Sequence, residues 1–137
     1  MNHPAFPNFN EVLDSDFACF FLNEKGDTLI SRFKESTHIE IDIAKQAIEI
    51  TKPIKDQGSE YAIIDFTAKF LSITNEAKKY WKENVSPHNT RLVAVVVNDF
   101  AIKTMANIYA RFDKPRVQTR VFTSIHDAFD WIEDNRP

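Results

Sequence analysis

Short apolar runs alternate with segments of helical periodicity, and this pattern is clearest in the second half of the chain. The paired segments are residues 61–65 and 75–84, residues 92–97 and 100–112, and residues 117–122 and 125–134. Strands that alternate with helices in this way indicate an α/β domain with a parallel sheet. The first two runs lack polar alternation, which is typical of strands covered on both faces. Gln118 and Arg120 interrupt the third run, which therefore predicts a strand at an edge or half exposed.

The first half predicts a hairpin, a helix and an N-terminal arm. An apolar run, residues 17–22, and a strand-like segment, residues 28–33, flank a turn that contains one of the two glycines. Apolar residues on one stripe predict a helix over residues 41–57, with a kink or a break at Pro53 because proline removes a helical N–H. Residues 1–15 contain two prolines and mixed polarity, so we expect an arm that includes a short helix at most.

Length and composition are those of a soluble globular protein. With 137 residues, of which 43% are hydrophobic and 27% charged, the chain is expected to form a single domain over residues 1–137. The net charge of −3 differs from the strong positive balance of general nucleic-acid-binding proteins. No apolar stretch approaches the roughly 20 residues of a membrane-spanning helix, and the N-terminal residues lack a secretory signal pattern. We therefore expect a cytoplasmic protein with no transmembrane segment and no nucleic-acid partner.

The sequence predicts no cofactor, no metal site and no catalytic residue. The single cysteine, Cys19, lies within an apolar run and is expected to be a small packing residue. A hairpin turn explains Gly26 and a helix end explains Gly58, so no glycine remains for a phosphate-binding loop. The four histidines lie far apart, and none has metal-ligand spacing. The lack of a glycine for a phosphate-binding loop excludes P-loop and dinucleotide-binding enzymes. Together with the lack of metal-ligand spacing, it favours a protein that is not an enzyme.

The C-terminal third carries the most specific sequence signal. It contains Lys114-Pro115, then Thr119-Arg120-Val121-Phe122, then Ala128-Phe129-Asp130-Trp131-Ile132. With the order of a hairpin, a helix and three strand–helix units, the chain resembles the STAS/SpoIIAA-like domains over roughly residues 17–135, a group also compared with the lipid-binding CRAL-TRIO fold. The resemblance implies a mixed, mostly parallel sheet of about five strands with an N-terminal hairpin and helices packed around it. It also implies a non-enzymatic role in regulation, protein interaction or carriage of an apolar ligand.

The resemblance implies candidate phosphorylation sites as well. In anti-sigma-factor antagonists of this group, a partner kinase phosphorylates a serine at the start of the helix after the third strand. Ser72 or Thr74 would occupy that position, although the Asp-Ser-Ser-Gly pattern of those proteins is missing and no glycine lies nearby. Thr74 is also suited to cap the helix that follows.

Polar residues just after the predicted strands form a second candidate site. They are Asp65, Asn98, Asp99, Thr123 and Ser124. Ligands of open α/β sheets bind beyond the carboxyl ends of the strands, so these residues are candidates for ligand binding. Most of them can instead cap the next helix, as Ser124 would cap the last one. Helix capping explains Asp65 less well than the others. An enzyme that uses Asp65 is therefore a weaker alternative function.

Aromatic residues of the middle of the chain form a third candidate site. They are Phe66, Phe70, Tyr80, Trp81, Phe100, Tyr109 and Phe112. Together they could line an apolar pocket for a small molecule or a lipid, and the alternative is an ordinary hydrophobic core. Phe66 and Phe70 are predicted to lie in a loop, where exposed rings would mark a pocket mouth, a dimer patch or a membrane-touching surface.

A basic cluster is the fourth candidate. It comprises Arg111, Lys114, Arg116 and Arg120. These residues could bind an anionic head group or the acidic face of a partner protein. The alternative is a solvated surface without a specific ligand. From the sequence we predict a regulatory or interaction module with a protein partner or self-association. A carrier of an apolar small molecule or lipid is the alternative.

Overall fold

The computed structural model describes residues 2–3, 6–85, 90–98 and 117–137. In these ranges most strands form one mixed sheet, and helices pack against it. In chain order the elements are β1 (Asn2–His3), β2 (Phe6–Asp14), β3 (Ala18–Asn23), β4 (Thr28–Phe33), β5 (His38–Ile39), α1 (Ile41–Asp56), β6 (Tyr61–Phe66), β7 (Ser72–Ile73), α2 (Asn75–Asn84), β8 (Leu92–Val97), β9 (Gln118–Phe122) and α3 (Ile125–Asp134). The predicted α/β class with an N-terminal hairpin is confirmed. The bounds of α2, β8 and α3 are those that the periodicity predicts.

The main sheet has seven strands within the described ranges, in the order β1-β2-β3-β4-β6-β8-β9. Neighbours from β1 to β4 run antiparallel, whereas β4, β6, β8 and β9 run parallel to one another. A second, two-stranded sheet pairs β5 with β7 in parallel. The main sheet is wider than the resemblance implies because the N-terminal residues add to it.

Helices cover the sheet on both faces. Ile64 and Val95 belong to the cluster that includes residues of α1 and α2, while Ile63 and Ala94 belong to the cluster that includes residues of α3. Since successive strand residues point to opposite faces, β6 and β8 are buried on both sides, as their unbroken apolar runs predict. The predicted edge position of β9 is confirmed within the described chain. None of the helices described is long and apolar enough to cross a membrane.

The N-terminal segment is a strand, and the prediction of an arm with a short helix is wrong. β2 pairs antiparallel with β3, and it buries Phe6 and Phe9 to 2% and 8% exposure. Phe9 stacks on Phe129 of α3 with ring centroids 5.6 Å apart. Asn8 has a φ of 71°, and the register shifts between Glu11 and Leu13, so the alternation that marks a strand is interrupted twice.

Helix α1 runs through Pro53 to Asp56, so of the predicted kink or break at Pro53 the break is wrong, and the kink stays a prediction. Ile50 on one side of the proline and Ile54 on the other both pack against the core. Packing of this apolar stripe therefore holds the last turn although proline removes one backbone hydrogen bond. Gly26 has the positive φ that the hairpin turn predicts, 73°, and Gly58 follows α1 with a φ of 119°.

Candidate functional site

Strand register brings four polar side chains into one row near the carboxyl ends of β4 and β6. Asp14 is opposite Cys19, Cys19 is opposite Arg32, and Arg32 is opposite Asp65. Residues in register on neighbouring strands point to the same face, so the four side chains are neighbours. We call these four residues the polar row. The polar row and helix α3 lie on the same face of the sheet, and α3 packs on a different part of that face.

Asp65 is the most buried member of the polar row, at 4% exposure. Its Oδ1 accepts hydrogen bonds from the backbone N–H and the hydroxyl of Thr67, at 2.9 and 2.6 Å. Its Oδ2 lies 3.7 Å from Nε of Arg32. A buried carboxylate is tolerated when it is paired and hydrogen-bonded in this way. Asp65 therefore fixes the loop after β6 and orients the guanidinium of Arg32.

A cleft of about 540 Å³ opens beside the polar row. It is lined by Glu11, Cys19, Phe21, Arg32, Phe33, Lys34, Glu35, Thr67, Ala68 and Lys69. These residues come from β2, β3 and β4 and from the segments after β4 and β6. Three of the lining side chains are cationic and two are anionic, so the lining of this cleft differs from the aromatic-lined pocket that the sequence suggests.

Cys19 is a protonated thiol in this setting. Partial burial raises its pKa to about 11, and hydrogen bonds to Asp14 and Glu11 act in the same direction. The thiol donates to Oδ1 of Asp14 at 3.3 Å, and the same oxygen lies 2.6 Å from Nζ of Lys34. Glu11, Asp14 and Cys19 are close enough to share a metal ion, but Lys34 already neutralises Asp14. The arrangement disfavours a reactive thiolate.

The loop after β6 presents an exposed aromatic ring beside the cleft. Phe70 is 78% exposed and has a φ of 59°. Two residues later, the exposed Ser72 of β7 shares a hydrogen bond with Nδ1 of His38 in β5. Nε2 of His38 lies 3.4 Å from Glu40. Thr74, the other candidate for phosphorylation, caps α2 by accepting the N–H of Ala77 at 3.1 Å.

The other aromatic candidates in the described chain belong to the core. Phe66 is the last residue of β6, and its ring lies 5.0 Å from Phe33 and 6.4 Å from Trp81. Tyr80 is half-buried in the same cluster, with Nζ of Lys45 5.7 Å from its ring. Asp99, Phe100, Tyr109 and Phe112 lie outside the described residues, and so do Arg111, Lys114 and Arg116.

Two further sequence candidates occupy the end of β9 and the start of α3. The guanidinium of Arg120 lies 5.4 Å from the ring of Phe122. Ser124 is at the N-cap position of α3, but its side chain makes no capping hydrogen bond, so the prediction that its side chain caps this helix is wrong. The backbone carbonyl of Ser124 accepts a hydrogen bond from the backbone N–H of Ala128, at 3.2 Å.

Sequence reasoning missed Arg32, Lys34 and Lys69, which supply the positive charge of the cleft. The second arm of the hairpin carries Arg32 close to Leu29, Ile30 and Phe33, and a charge among these apolar residues is the one local signal for this site. The partner of that arginine is far along the chain, on a strand that pairs in parallel with β4. Local patterns do not reveal such a pair.

The fold is that of a SpoIIAA-like α/β protein. An uncharacterised protein of the DUF3478 family from Shewanella loihica PV-4, whose crystal structure has a SpoIIAA-like fold, matches with a TM-score of 0.51 and 14% identity over 90% of each chain. This likeness confirms the predicted fold. The chain belongs to the family described as "Domain of unknown function (DUF7793)", which matches residues 21–136. No curated protein matches the chain.

Proposed function

We propose that the protein is a regulatory interaction module that binds a partner protein through the exposed ring of Phe70. A bulky residue with a positive φ costs about 1–2 kcal/mol relative to its ordinary conformations. Packing of the ring within the folded chain offsets little of this cost, because Phe70 is 78% exposed. Strained residues cluster at functional sites, and aromatic side chains are enriched in protein interfaces. This observation carries the proposal.

Ser72 is the proposed switch of this surface. It lies two residues after Phe70, and its hydroxyl contacts His38 within the two-residue pairing of β5 with β7. A phosphate on Ser72 would add negative charge near Glu40, which is 3.4 Å from the other ring nitrogen of His38. Since β5 and β7 pair over so few residues, a change of charge there is expected to shift the loop that carries Phe70.

The alternative functions have less support in the described part of the chain. Phe66, Tyr80 and Trp81 pack into the core, so an apolar carrier would depend on residues outside the described ranges. Asp65 is engaged by Thr67 and Arg32, which accounts for it without a catalytic role.

Site-specific cross-linking in cells tests the proposal. A photo-reactive amino acid at Lys69, next to Phe70, is expected to give one discrete adduct with a partner or with a second copy of the chain. Phe70→Ser should abolish the adduct. Leu13→Ser is the matched control, because Leu13 is also an exposed apolar residue, at 40%, but lies on β2. Absence of a discrete adduct, or an adduct unaffected by Phe70→Ser, would contradict the proposal.

The same assay tests the switch. Ser72→Glu introduces a negative charge beside Glu40 and is expected to weaken the adduct several-fold. Ser72→Ala removes only the hydroxyl and should leave most of the adduct. Equal adduct yields for these two variants would remove Ser72 from the proposal and leave the Phe70 surface untouched.

A further inference from the structure

A serine, a histidine and a glutamate are joined through their side chains where β5 pairs with β7. The hydroxyl of Ser72 shares a hydrogen bond with Nδ1 of His38, and Nε2 of the same ring lies 3.4 Å from Oε1 of Glu40. We infer that Ser72 is a nucleophile that takes an acyl group from a small activated ester or thioester, with His38 as its base. This inference goes beyond the proposed function and depends neither on a partner protein nor on the Phe70 surface.

Strand pairing holds Ser72 and His38 together. The two residues are directly in register, and the backbone N–H of Ser72 donates to the carbonyl of Thr37 at 3.2 Å. The next pair in register, Ile39 and Ile73, anchors both strands, because Ile39 is completely buried and Ile73 packs against the same core. The backbone of the fold therefore places the hydroxyl beside the ring.

The carboxylate of Glu40 orients the imidazole. Glu40 is the N-cap residue of α1, but its side chain makes no capping hydrogen bond, and its carbonyl accepts the N–H groups of Ile43 and Ala44 at 3.1 and 3.2 Å. The helix thus fixes its backbone. A carboxylate at Nε2 of His38 favours the tautomer with the proton on that nitrogen, which leaves the lone pair of Nδ1 for the hydroxyl of Ser72. Glu40 is therefore a positioning residue.

A nucleophile that contacts a base, with a third group that orients the base, is the arrangement that activates serine for acyl transfer. Oγ of Ser72 attacks the carbonyl carbon of the donor while its proton passes to Nδ1 of His38. A bond forms between Oγ and the acyl carbon, and the bond to the alkoxide or thiolate breaks. The imidazolium then gives its proton to the leaving group. The products are the acyl ester of Ser72 and an alcohol or a thiol.

The exposure of these side chains sets the class of donor and the size of the effect. His38 and Glu40 are 60% and 61% exposed, and Ser72 is exposed as well. A small donor therefore reaches the hydroxyl without a movement of the protein. Because water screens the charges, we expect a gain below the roughly 100-fold at which general bases in enclosed sites begin. Only donors with a good leaving group, such as aryl esters and thioesters, react measurably under that limit.

Acetylation of the full chain by p-nitrophenyl acetate tests the inference. Peptide mass spectrometry follows the acetyl group on Ser72 and, as an internal reference, on Ser36. Ser36 is an exposed serine whose hydroxyl bonds to no histidine within the described ranges, and its backbone N–H donates to the loop that follows β6. We expect Ser72 to react at least about tenfold faster than Ser36. Equal rates at the two serines would overturn the inference.

Two histidine variants assign the base. His38→Gln is expected to lower the acetylation rate of Ser72 at least about tenfold, because an amide does not take up the proton. His126→Gln is the matched control, since His126 is exposed on α3, and it should leave the rate unchanged. Both histidines are exposed, so both variants are expected to fold, and their free energies of unfolding in urea verify this. A wild-type rate in folded His38→Gln would overturn the inference.

A glutamate variant tests the positioning role. Glu40→Gln keeps the size of the side chain but removes its charge, and it should slow acetylation of Ser72 by about two- to fivefold, the size of an exposed ion pair. Glu49→Gln, at another exposed position of α1, is the control and should have no effect. NMR of the ring nitrogens adds a second measurement, because the variant should carry more of the neutral ring of His38 protonated at Nδ1. An unchanged rate with an unchanged tautomer would overturn the role of Glu40.

The Phe70 surface is tested separately from this activity. Phe70→Ser should acetylate at Ser72 as the wild type does, whereas Ser72→Ala should lose the acetyl group at that peptide. Fast acetylation without a cross-linked partner would contradict only the partner surface. A discrete cross-link with acetylation of Ser72 no faster than that of Ser36 would contradict only the nucleophile.

Discussion

At the scale of single residues, the polar row shows that the neighbours of a side chain decide its role. Asp65 ends an apolar strand, and from the sequence it is a candidate for ligand binding and, as a weaker alternative, for catalysis. In the structure it accepts two hydrogen bonds from Thr67 and faces Arg32, so its charge is compensated within the protein. The more exposed side chain of the pair is that of Arg32, which no local motif identifies.

The prediction for a single residue concerns the backbone conformation of Phe70. Asparagine tolerates the left-handed region better than other non-glycine residues, so Phe70→Asn should be more stable than Phe70→Ala by about 0.5–1 kcal/mol. The ring is exposed, so both variants lose the same small amount of packing. Urea denaturation of the two variants measures the difference. Equal free energies of unfolding would mean that the backbone at Phe70 is not strained.

At the scale of elements, α1 and β2 show how packing overrides local signals. Proline lies within α1, yet the helix continues because Ile54 beyond it packs on the core. Irregular backbone at Asn8 and a register shift interrupt β2, yet the segment forms a strand because Phe6 and Phe9 are buried against the sheet and α3. In both elements tertiary contacts outweigh the preference of the local sequence.

Pro53→Ala should stabilise the protein by about 1–3 kcal/mol, because it restores a helical N–H and removes the clash with the preceding turn. Pro53 is exposed, so no packing is lost. Thermal and urea unfolding measure the gain. Lys52→Ala, at the exposed neighbouring position, is the control and should change the free energy of unfolding by less than about 0.5 kcal/mol. No gain for Pro53→Ala would show that the last turn of α1 is already distorted.

Phe6→Ala should destabilise the protein by about 3–5 kcal/mol, because Phe6 is buried and packs edge-on against Phe21 at 5.2 Å. Val12→Ala in the same strand should have a much smaller effect, since Val12 is 45% exposed. Urea denaturation of both variants checks the difference. A neutral Phe6→Ala would restore the interpretation of residues 1–15 as an arm.

At the scale of the whole molecule, a contact near the C-terminus joins distant parts of the chain. Both terminal guanidinium nitrogens of Arg136 hydrogen-bond to Asp27 in the turn between β3 and β4, and its guanidinium carbon lies 4.9 Å from the ring of Tyr61. Partial burial acts to raise the pKa of Asp27, but hydrogen bonds from Arg136, Asn23 and Thr28 outweigh it and hold the pKa at about 2.

This contact predicts a pH-dependent stability. The folded-state pKa of Asp27, about 2, is below the unfolded value of about 3.9, so the stabilisation is complete above about pH 4 and is lost as the pH falls through about 2. Arg136→Gln should therefore lower the free energy of unfolding by about 1–3 kcal/mol at neutral pH. The difference from the wild type should shrink between about pH 4 and pH 2.

Urea denaturation across this pH range measures the effect. Arg91→Gln is the control, because its ion pair with Glu60 is exposed and should contribute less than about 1 kcal/mol. A difference between Arg136→Gln and the wild type that stays constant with pH would assign the effect to packing on Tyr61 instead.

Most elements of the fold could be predicted from the sequence, whereas most of the candidate site could not. The amphipathic stripe of α3 and the unbroken apolar run of β8 are local patterns, and the structure reproduces their predicted bounds. Of the site, Asp65 was found because a strand end is a local feature. Arg32 and the lysines of the cleft were missed because their roles come from strand pairing and from the path of the loop after β6.

By itself the sequence determined the order of β3, β4, α1, β6, α2, β8, β9 and α3 along the chain, and the burial of the central strands. These follow from periodicity, which is encoded in residues that are close together along the chain. Only the tertiary structure decided that residues 6–14 join the sheet, that Arg32 faces Asp65 and that Phe70 is exposed while Phe66 is not. Each of these depends on contacts between segments that are distant in sequence, and such contacts form only when the sheet assembles.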